Sequence, residues 1–565
     1  MLSISRRRLL GLGAAAGAAL ALPAATLSRP AAASGGGRLA KYIQPLPVPG
    51  DGIAVAQHNG NHEYAFTLRE IARQVHPDLP ATPLWAYDDG TGLVGQAGSF
   101  GLVVVAQSGV PVIAHYTSAL PQMYPDRLPV DPRLTPLGRQ VRVMAHLHGG
   151  FVGASSDGNP AITPLGFGPG QTQTAYYPND PSGNPPSLLW FHDHGLGTTR
   201  LNVVAGLAAG YLIRDGVDTG LESNPAGLPG GAYEIPLVIQ DRQFDADGTI
   251  RYPVSTIAGV TWIGEYFGDV MLVNGKAWPY LDVEPRMYRF RVLNGCNARI
   301  LNLSMGAARM WQIGAEGGMW DRPVPVKQVV LAPAERADLV VDFGTVAGSS
   351  IVVKNLPLPR PVTSPALPLT SVMQIRVGTA VTAPGPQSVP DSLPGRAAVL
   401  PAPDRTRFIT LNEVAAGEPE WMLTINGARF GAQESIDTPT LASIEDWVYI
   451  NLTEDTHPMH THLFTHQVIG RTPFDAERYR QDHGTRDGVP GGIDPRPYAT
   501  GPMEPAPPEE RGFKDTVKAN PGYFTTIRGR FDLPPGLSGP QTYVHHCHIV
   551  EHEDNDMMQP FTVTP

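Results

Sequence analysis

The sequence predicts an all-β protein, and three observations carry that reading. Glycine (62) and proline (58) recur through the whole chain without a short period, which marks many turns. The apolar runs between them are short, and the clearest alternate apolar with polar residues, the period of a half-buried strand. Apolar residues are 42% and charged residues only 17% of 565. That composition belongs to a globular chain with material for about three or four domains of roughly 150 residues. The net charge of −10 argues against nucleic acid or an anionic membrane surface as the main partner.

Residues 1–33 read as a leader. Ser5-Arg6-Arg7-Arg8-Leu9-Leu10 is a twin-arginine pattern, followed by a short apolar run and a small-residue site at Ala31-Ala32-Ala33. The run is short for a stable membrane span, so a cleaved export signal is expected, with no stable membrane anchor. The twin-arginine export machinery carries folded proteins, which suits a chain assembled around a cofactor.

Residues 38–217 form the first expected domain. Residues 102–105 read as a strand, and residues 110–114 as an edge strand at best because of Pro111. Residues 140–148 are the surer strand and end in His146 and His148. A second apolar run, 187–194, ends in His192 and His194. The second expected domain is 233–378, with strands near 235–240, 271–273, 288–293 and 337–343. No histidine lies between His194 and His457, so this domain reads as structural spacing. Residues 379–405, rich in Pro, Ala and Ser, read as a linker. The third expected domain, 406–565, holds His457-Pro458-Met459-His460-Thr461-His462 and His545-His546-Cys547-His548, with 471–511 expected as an external loop.

Ten of the 17 histidines fall in four clusters, 146/148, 192/194, 457/460/462 and 546/548/552, and one cluster encloses a cysteine. Neighbouring side chains on a strand face opposite ways. Cys547 therefore faces away from His546 and His548, and His457 has the opposite parity to His460 and His462. Two separate sites follow. One takes Cys547, His457 and His552, with Met557 as the candidate fourth donor; the other takes His146, His148, His192, His194, His460, His462, His546 and His548. Eight imidazoles suit a cluster of two or three ions. A thiolate, two imidazoles and a weak thioether select copper; zinc sites more often pair cysteines. Cys296, the only other cysteine, then reads as a small buried residue.

These motifs resemble the multicopper oxidases, specifically the bacterial three-domain group that includes spore-coat laccase, bilirubin oxidase and phenoxazinone synthase. Supporting matches are residues 199–203, Val273-Asn274-Gly275, residues 331–338 and Lys514-Asp515-Thr516-Val517. The resemblance implies three consecutive cupredoxin-like Greek-key β-sandwich domains and four copper ions. It implies that Cys547, His457 and His552 hold a type 1 copper with Met557 axial. His146 and His460 would hold the type 2 copper. His148, His192, His194, His462, His546 and His548 would hold the type 3 pair. Asp157 and Glu553 match acidic positions that assist proton delivery; a solvated loop carboxylate is the ordinary alternative for both. The implied activity is laccase-like: one-electron oxidation of a small phenolic or aminophenolic substrate, with reduction of dioxygen to water. Bilirubin oxidase, phenoxazinone synthase, Cu(I) or Mn(II) oxidase and a non-catalytic copper-binding envelope protein are the alternatives.

Overall fold

The computed structural model describes residues 39–92, 101–257, 259–383, 385–395, 399–415, 421–431, 437–483 and 492–565. The export-signal motif at 1–33 lies outside the described residues. The regular structure of the described residues is mostly β-strand, arranged as pairs of sheets in three successive stretches of sequence.

In the first stretch a six-stranded sheet runs from Val48–Pro49 and Gly52–Val55 through Leu102–Gln107, Ala208–Arg214 and Leu188–Asp193 to Ala145–His148 at its edge. A four-stranded sheet orders Thr82–Asp88, Glu63–Arg73, Val112–Ser118 and Thr172–Tyr177. Two expectations change here. The strand after Pro111 begins at Val112 and is an inner strand, flanked by Glu63–Arg73 and Thr172–Tyr177. Proline falls outside the ladder, so its missing N–H is not needed. The strand expected over 140–148 is regular only from Ala145 to His148. Just before it the pairing is reduced to single bridges, Gln140 with Met123 and Val143 with Phe167, and the Asp193 carboxylate accepts from Met144 N–H (2.7 Å); at the first strand residue the Gln173 amide holds both backbone groups of Ala145 (2.8 Å each).

The middle stretch pairs a seven-stranded with a five-stranded sheet between Glu234 and Val377. Its strands Glu234–Arg242, Met287–Asn294 and Arg336–Asp342 are buried along their whole length, because both faces are covered. The linker is partly docked: Leu393 is buried with Met287, Ile313, Met319 and Val340.

The last stretch contains the four-stranded sheet Thr516–Ala519, His457–Thr461, Gln541–Cys547 and Met558–Val563. It packs on a larger sheet through Trp447, Phe464, Phe531 and Phe561, whose rings meet at 4.4–6.1 Å. The 471–511 stretch is not a simple external loop. It begins within the strand His466–Pro473 and continues into the helix Ala476–His483; Phe474 and Tyr479 bury against Val448, Ile450 and Phe524. Residues 484–491 of it lie outside the described residues.

Candidate metal centres

The strand Gln541–Cys547 and its antiparallel neighbour His457–Thr461 build both centres. Their register sets Cys547 opposite Met459 and His546 opposite His460. Cross-strand partners share a face, so His457, Met459 and Cys547 point one way, and His460 and His546 the other.

On the first face, Cys547 Sγ lies 3.5 Å from His457 Nδ1 and 3.7 Å from His552 Nδ1, and the two nitrogens are 3.3 Å apart. All three residues are buried. His552 arrives on the single helical turn Val550–Glu553 that follows the strand. The Ile549 N–H points at Sγ at 3.4 Å. Burial pushes the Cys547 thiol well above its ordinary value, a cost that a bound cation removes by taking the thiolate. Met557 is also buried; its N–H donates to His552 C=O (3.0 Å), and its C=O accepts from Cys547 N–H (2.9 Å). His545 shares the cysteine's face but lies two residues back, against Trp447 (ring centroids 5.0 Å) and Tyr449, inside the sandwich core. It belongs to no donor set among the described residues.

On the second face, eight imidazoles form three donor sets: His146 with His148 and His460, His148 with His192 and His548, and His194 with His462 and His546. Within each set the ligand atoms lie within 4.8 Å of one another. The first stretch supplies its four from adjacent strand ends, where His146 stands opposite His192. Two pairs of rings stack across the boundary between first and last stretches, His146 on His462 (3.9 Å) and His148 on His460 (3.7 Å).

The hydrogen bonds on the outer nitrogens fix which ring atoms face inward. Backbone carbonyls only accept, so His146 Nδ1 donates to Asp157 C=O (2.5 Å), His192 Nδ1 to Asp193 C=O (2.9 Å) and His460 Nδ1 to Asp515 C=O (2.9 Å). The inward Nε2 atoms are then bare, as a metal requires. His146 Nε2, His148 Nδ1, His192 Nε2, His460 Nε2 and His548 Nε2 are buried without a protein partner. Facing nitrogens lie 3.2 Å apart (His194 and His546) and 3.3 Å apart (His462 and His546). Two nitrogens about 2.0 Å from one tetrahedral ion would be about 3.3 Å apart. The residues therefore fit metal ions and leave costly orphaned donors otherwise. Burial drives His146, His148, His460, His462 and His548 toward neutrality; with His194 beside it, His192 is pushed down to about 3.

Asp157 and Glu553 are not solvated loop carboxylates; both are buried. Asp157 lies 2.7 Å from His462 Nδ1, and burial pushes its carboxyl well above the usual range. Glu553 lies 3.3 Å from His194 Nδ1 and 3.2 Å from His546 Nδ1. Burial opposes its charge too, but the His194 and His546 rings outweigh it and hold Glu553 below the usual range.

Several residues around the centres escape a reading of the histidines alone. Thr453 Oγ1 bonds His457 Nε2 (2.7 Å), and Glu265 approaches His552 Nε2 at 3.6 Å. Asp193, pushed up to about 7 mainly by burial, accepts from Met144 N–H, Gly195 N–H and the Asn202 amide. Glu265 overturns one expectation, since the histidine-free middle stretch touches the cysteine centre directly. No spacing signal marks Glu265 or Thr453. Asp193 sits in plain view between two singled-out histidines.

A cysteine with two imidazoles on one side, and eight imidazoles from four strands and their ends on the other, match the soft donor set that copper redox proteins use. The comparisons agree. A multicopper oxidase family profile matches residues 402–565. The chain is 35% identical over 549 residues to a laccase of Bacillus subtilis (strain 168), covering 93% of this chain and 99% of that protein. It is 34% identical over 590 residues to a laccase of Haloferax volcanii, covering 99% and 91%. The crystal structure of the McoA multicopper oxidase of Aquifex aeolicus superposes with a TM-score of 0.72 at 25% identity, over 93% of this chain and all of that one. This chain belongs to the multicopper oxidase family, copper-dependent oxidoreductases with dioxygen as acceptor.

Proposed function

We propose that this protein is an exported, laccase-like oxidase that holds four copper ions. One observation carries the reading: Cys547 joins His457 and His552 on one side of its strand, while its neighbour His546 joins imidazole sets on the other side, completed by histidines from three other strands and their ends. His457, Cys547 and His552 would hold the type 1 ion, with Met557 as a weak further donor. His146 and His460 hold the type 2 ion. His148, His192, His194, His462, His546 and His548 hold the type 3 pair. Residues 38–217, 233–378 and 406–565 are its domains, with 379–405 as linker. Residues 1–33 are the twin-arginine export signal; no helix among the described residues is long and apolar enough to cross a membrane.

Bound copper supplies one-electron acceptance from a reducing substrate and four-electron reduction of dioxygen to water. The protein fixes ligand geometry, access and protons. A narrow depression lined by Glu265, Phe267, Ile300, Pro365, Thr456 and Ile549 lies beside the cysteine centre, with Glu265 3.6 Å from His552 Nε2 and Thr456 next to His457; a small phenolic or aminophenolic donor would pass its electron in from outside at this point. Asp157, kept neutral by burial, stores a proton at His462 Nδ1, while the charged Glu553 accepts one between His194 and His546. Two carboxyls in opposite protonation states make a donor and acceptor pair beside the pocket.

The test is Cys547→Ser, followed by absorption, copper content and oxygen uptake with a phenolic donor. The intense blue band and turnover are expected to vanish together. Retained blue colour would falsify the assignment. The same assay run with bilirubin, an o-aminophenol, Cu(I) and Mn(II) ranks the substrate classes, and copper-replete protein that consumes no oxygen with any of them would mark a binding protein instead.

A further inference from the structure

Two motifs have no role in the ligand sets: residues 331–338 of the middle stretch and Lys514-Asp515-Thr516-Val517 of the last. They meet beside the histidine pocket. The Arg336 guanidinium, buried at the start of the strand Arg336–Asp342, donates to both oxygens of Asp515 at 2.8 and 2.6 Å. Its remaining donors go to Leu188 C=O (3.2 Å) and Ala334 C=O (3.1 Å). One side chain thus binds all three stretches of the chain. A forked pair of this kind fixes the plane and position of the carboxylate, which a single-point contact does not.

Asp515 in turn holds two imidazoles. Its Oδ1 lies 3.1 Å from His148 Nε2, and its backbone carbonyl accepts from His460 Nδ1 at 2.9 Å. Thr516 Oγ1 donates to the same Oδ1 at 2.9 Å. A carboxylate paired with arginine only accepts, so His148 carries its hydrogen on Nε2 and keeps Nδ1 bare. The carbonyl imposes the opposite tautomer on His460, with Nε2 bare. Those two bare atoms are among the buried nitrogens without a protein partner. The rings stack at 3.7 Å and 15°, so one anchored residue sets both tautomers and the tilt of a stacked pair drawn from two stretches. His148 is the odd ring here, since most of its neighbours are tied through Nδ1.

The glycine after His148 shows how tightly the pair is packed. A Cβ on Gly149 would sit 2.7 Å from Asp515 Oδ2, 2.8 Å from Arg336 Nη2 and 2.8 Å from Leu189, and its φ is +83°. Any side chain there would displace the ion pair or the strand end that carries His148.

We propose that Arg336 and Asp515 are positioning residues for the histidine cluster. Arg336 fixes Asp515, and Asp515 sets the tautomer and orientation of His148 and His460. The middle stretch, without a histidine of its own, thereby controls metal loading of a pocket formed by the other two. The inference rests on the proposed ligand roles of His148 and His460.

Five variants of the full chain, loaded with copper, test it: Asp515→Asn, Arg336→Leu, Arg336→Lys, Lys518→Met and His148→Ala. Lys518 pairs with Glu335 (2.8 and 2.7 Å) across the same boundary without touching a histidine, so its loss reports the interface alone. Readouts are copper per chain, the electron paramagnetic resonance and near-ultraviolet signals of the histidine cluster, and the blue band of the cysteine centre. Asp515→Asn and Arg336→Leu are expected to weaken cluster copper binding by about 10–100-fold, with the blue band intact as the check on folding. Arg336→Lys, which keeps the charge and loses the fork, is expected to fall between. Lys518→Met is expected to keep every signal. Cluster copper at the unsubstituted level in both Asp515→Asn and Arg336→Leu would overturn the proposal, as would equal loss in Lys518→Met. If His148→Ala keeps all cluster signals, the ligand reading itself fails; if His148→Ala loses them while Asp515→Asn does not, only the positioning role fails.

Discussion

At the scale of single residues, the two centres are distinguished by which atom each side chain offers and what holds its other atom. Cys547 is surrounded by two Nδ1 atoms, while His146, His192 and His460 of the cluster turn Nε2 inward because backbone carbonyls hold their Nδ1 atoms. Met557 belongs to the same scale. A weak axial thioether tunes a blue copper centre, and removing it takes away electron density that favours the oxidised ion. Met557→Leu is expected to raise the type 1 potential with the blue colour retained, read by redox titration against a reference dye. An unchanged or lower potential would count against axial ligation. The paired acids at this scale were only half legible. Asp157 and Glu553 stand out by motif matching, but their burial and the opposite directions in which their carboxyls are pushed come from the packed fold, which sets Asp157 beside His462 and Glu553 beside His194.

At the scale of elements, the strand Gln541–Cys547 and the turn Val550–Glu553 do most of the positioning. Strand alternation is a local property, so the separation of Cys547 from His546 and His548 could be read directly from sequence. The helical turn is different, because four outside hydrogen bonds hold it. Trp262 Nε1 donates to Glu551 C=O (2.9 Å), Tyr252 Oη and the Asn297 amide donate to the Glu551 carboxylate (2.9 and 2.8 Å), and Val550 N–H donates to Asn297 C=O (3.2 Å). Just beyond it, Asp554 accepts from Thr199 N–H, Arg200 N–H and the Arg200 guanidinium, each at 3.0 Å, at the start of the helix Thr199–Ala205. Arg200 is fully buried. Asp554→Ala would leave its charge uncompensated, a loss of about 3–5 kcal/mol for a broken buried pair. A lower thermal unfolding temperature is expected, with the His552-dependent blue band broadened or lost. Unfolding at the same temperature as the parent would show that the pair contributes nothing. The expected strand over 140–148 belongs here too. Its alternation was legible, but its early half pairs only through single bridges, Gln140 with Met123 and Val143 with Phe167, and through Asp193 at Met144 N–H, which no local pattern announces.

At the scale of the whole molecule, buried charge joins stretches that are distant in sequence. In the middle stretch Arg289 and Arg291 are buried with Asp218, Glu234 and Asp338. Burial alone would raise the Asp218 and Glu234 carboxyls, but Arg291 and Arg289 outweigh it, holding Asp218 below the usual range and Glu234 down to about 2. The sign follows. Unfolded carboxyls titrate near about 4, so above that pH both groups are charged in either state and the full stabilisation is present. As pH falls below about 4 the unfolded chain takes up protons first, and stability declines until the folded groups are protonated too. Thermal unfolding temperatures are therefore expected to fall steeply below about pH 4, and less steeply in Asp218→Asn, whose starting stability is lower. Parallel pH curves for the two proteins would rule out this network as a source of acid sensitivity.

The sequence by itself determined the strand-rich class, the two faces of the cysteine strand, the ten clustered histidines and the choice of copper. All of these follow from residue type and a period of two, which are properties of the local chain. Only the tertiary structure decided that Glu265 stands beside His552, that Asp157 and Glu553 are buried, and that Arg336 reaches Asp515 behind His148. Those facts depend on how separate sheets pack against one another. The desolvation and pairing of a charged side chain come from neighbours that its own stretch of sequence does not contain.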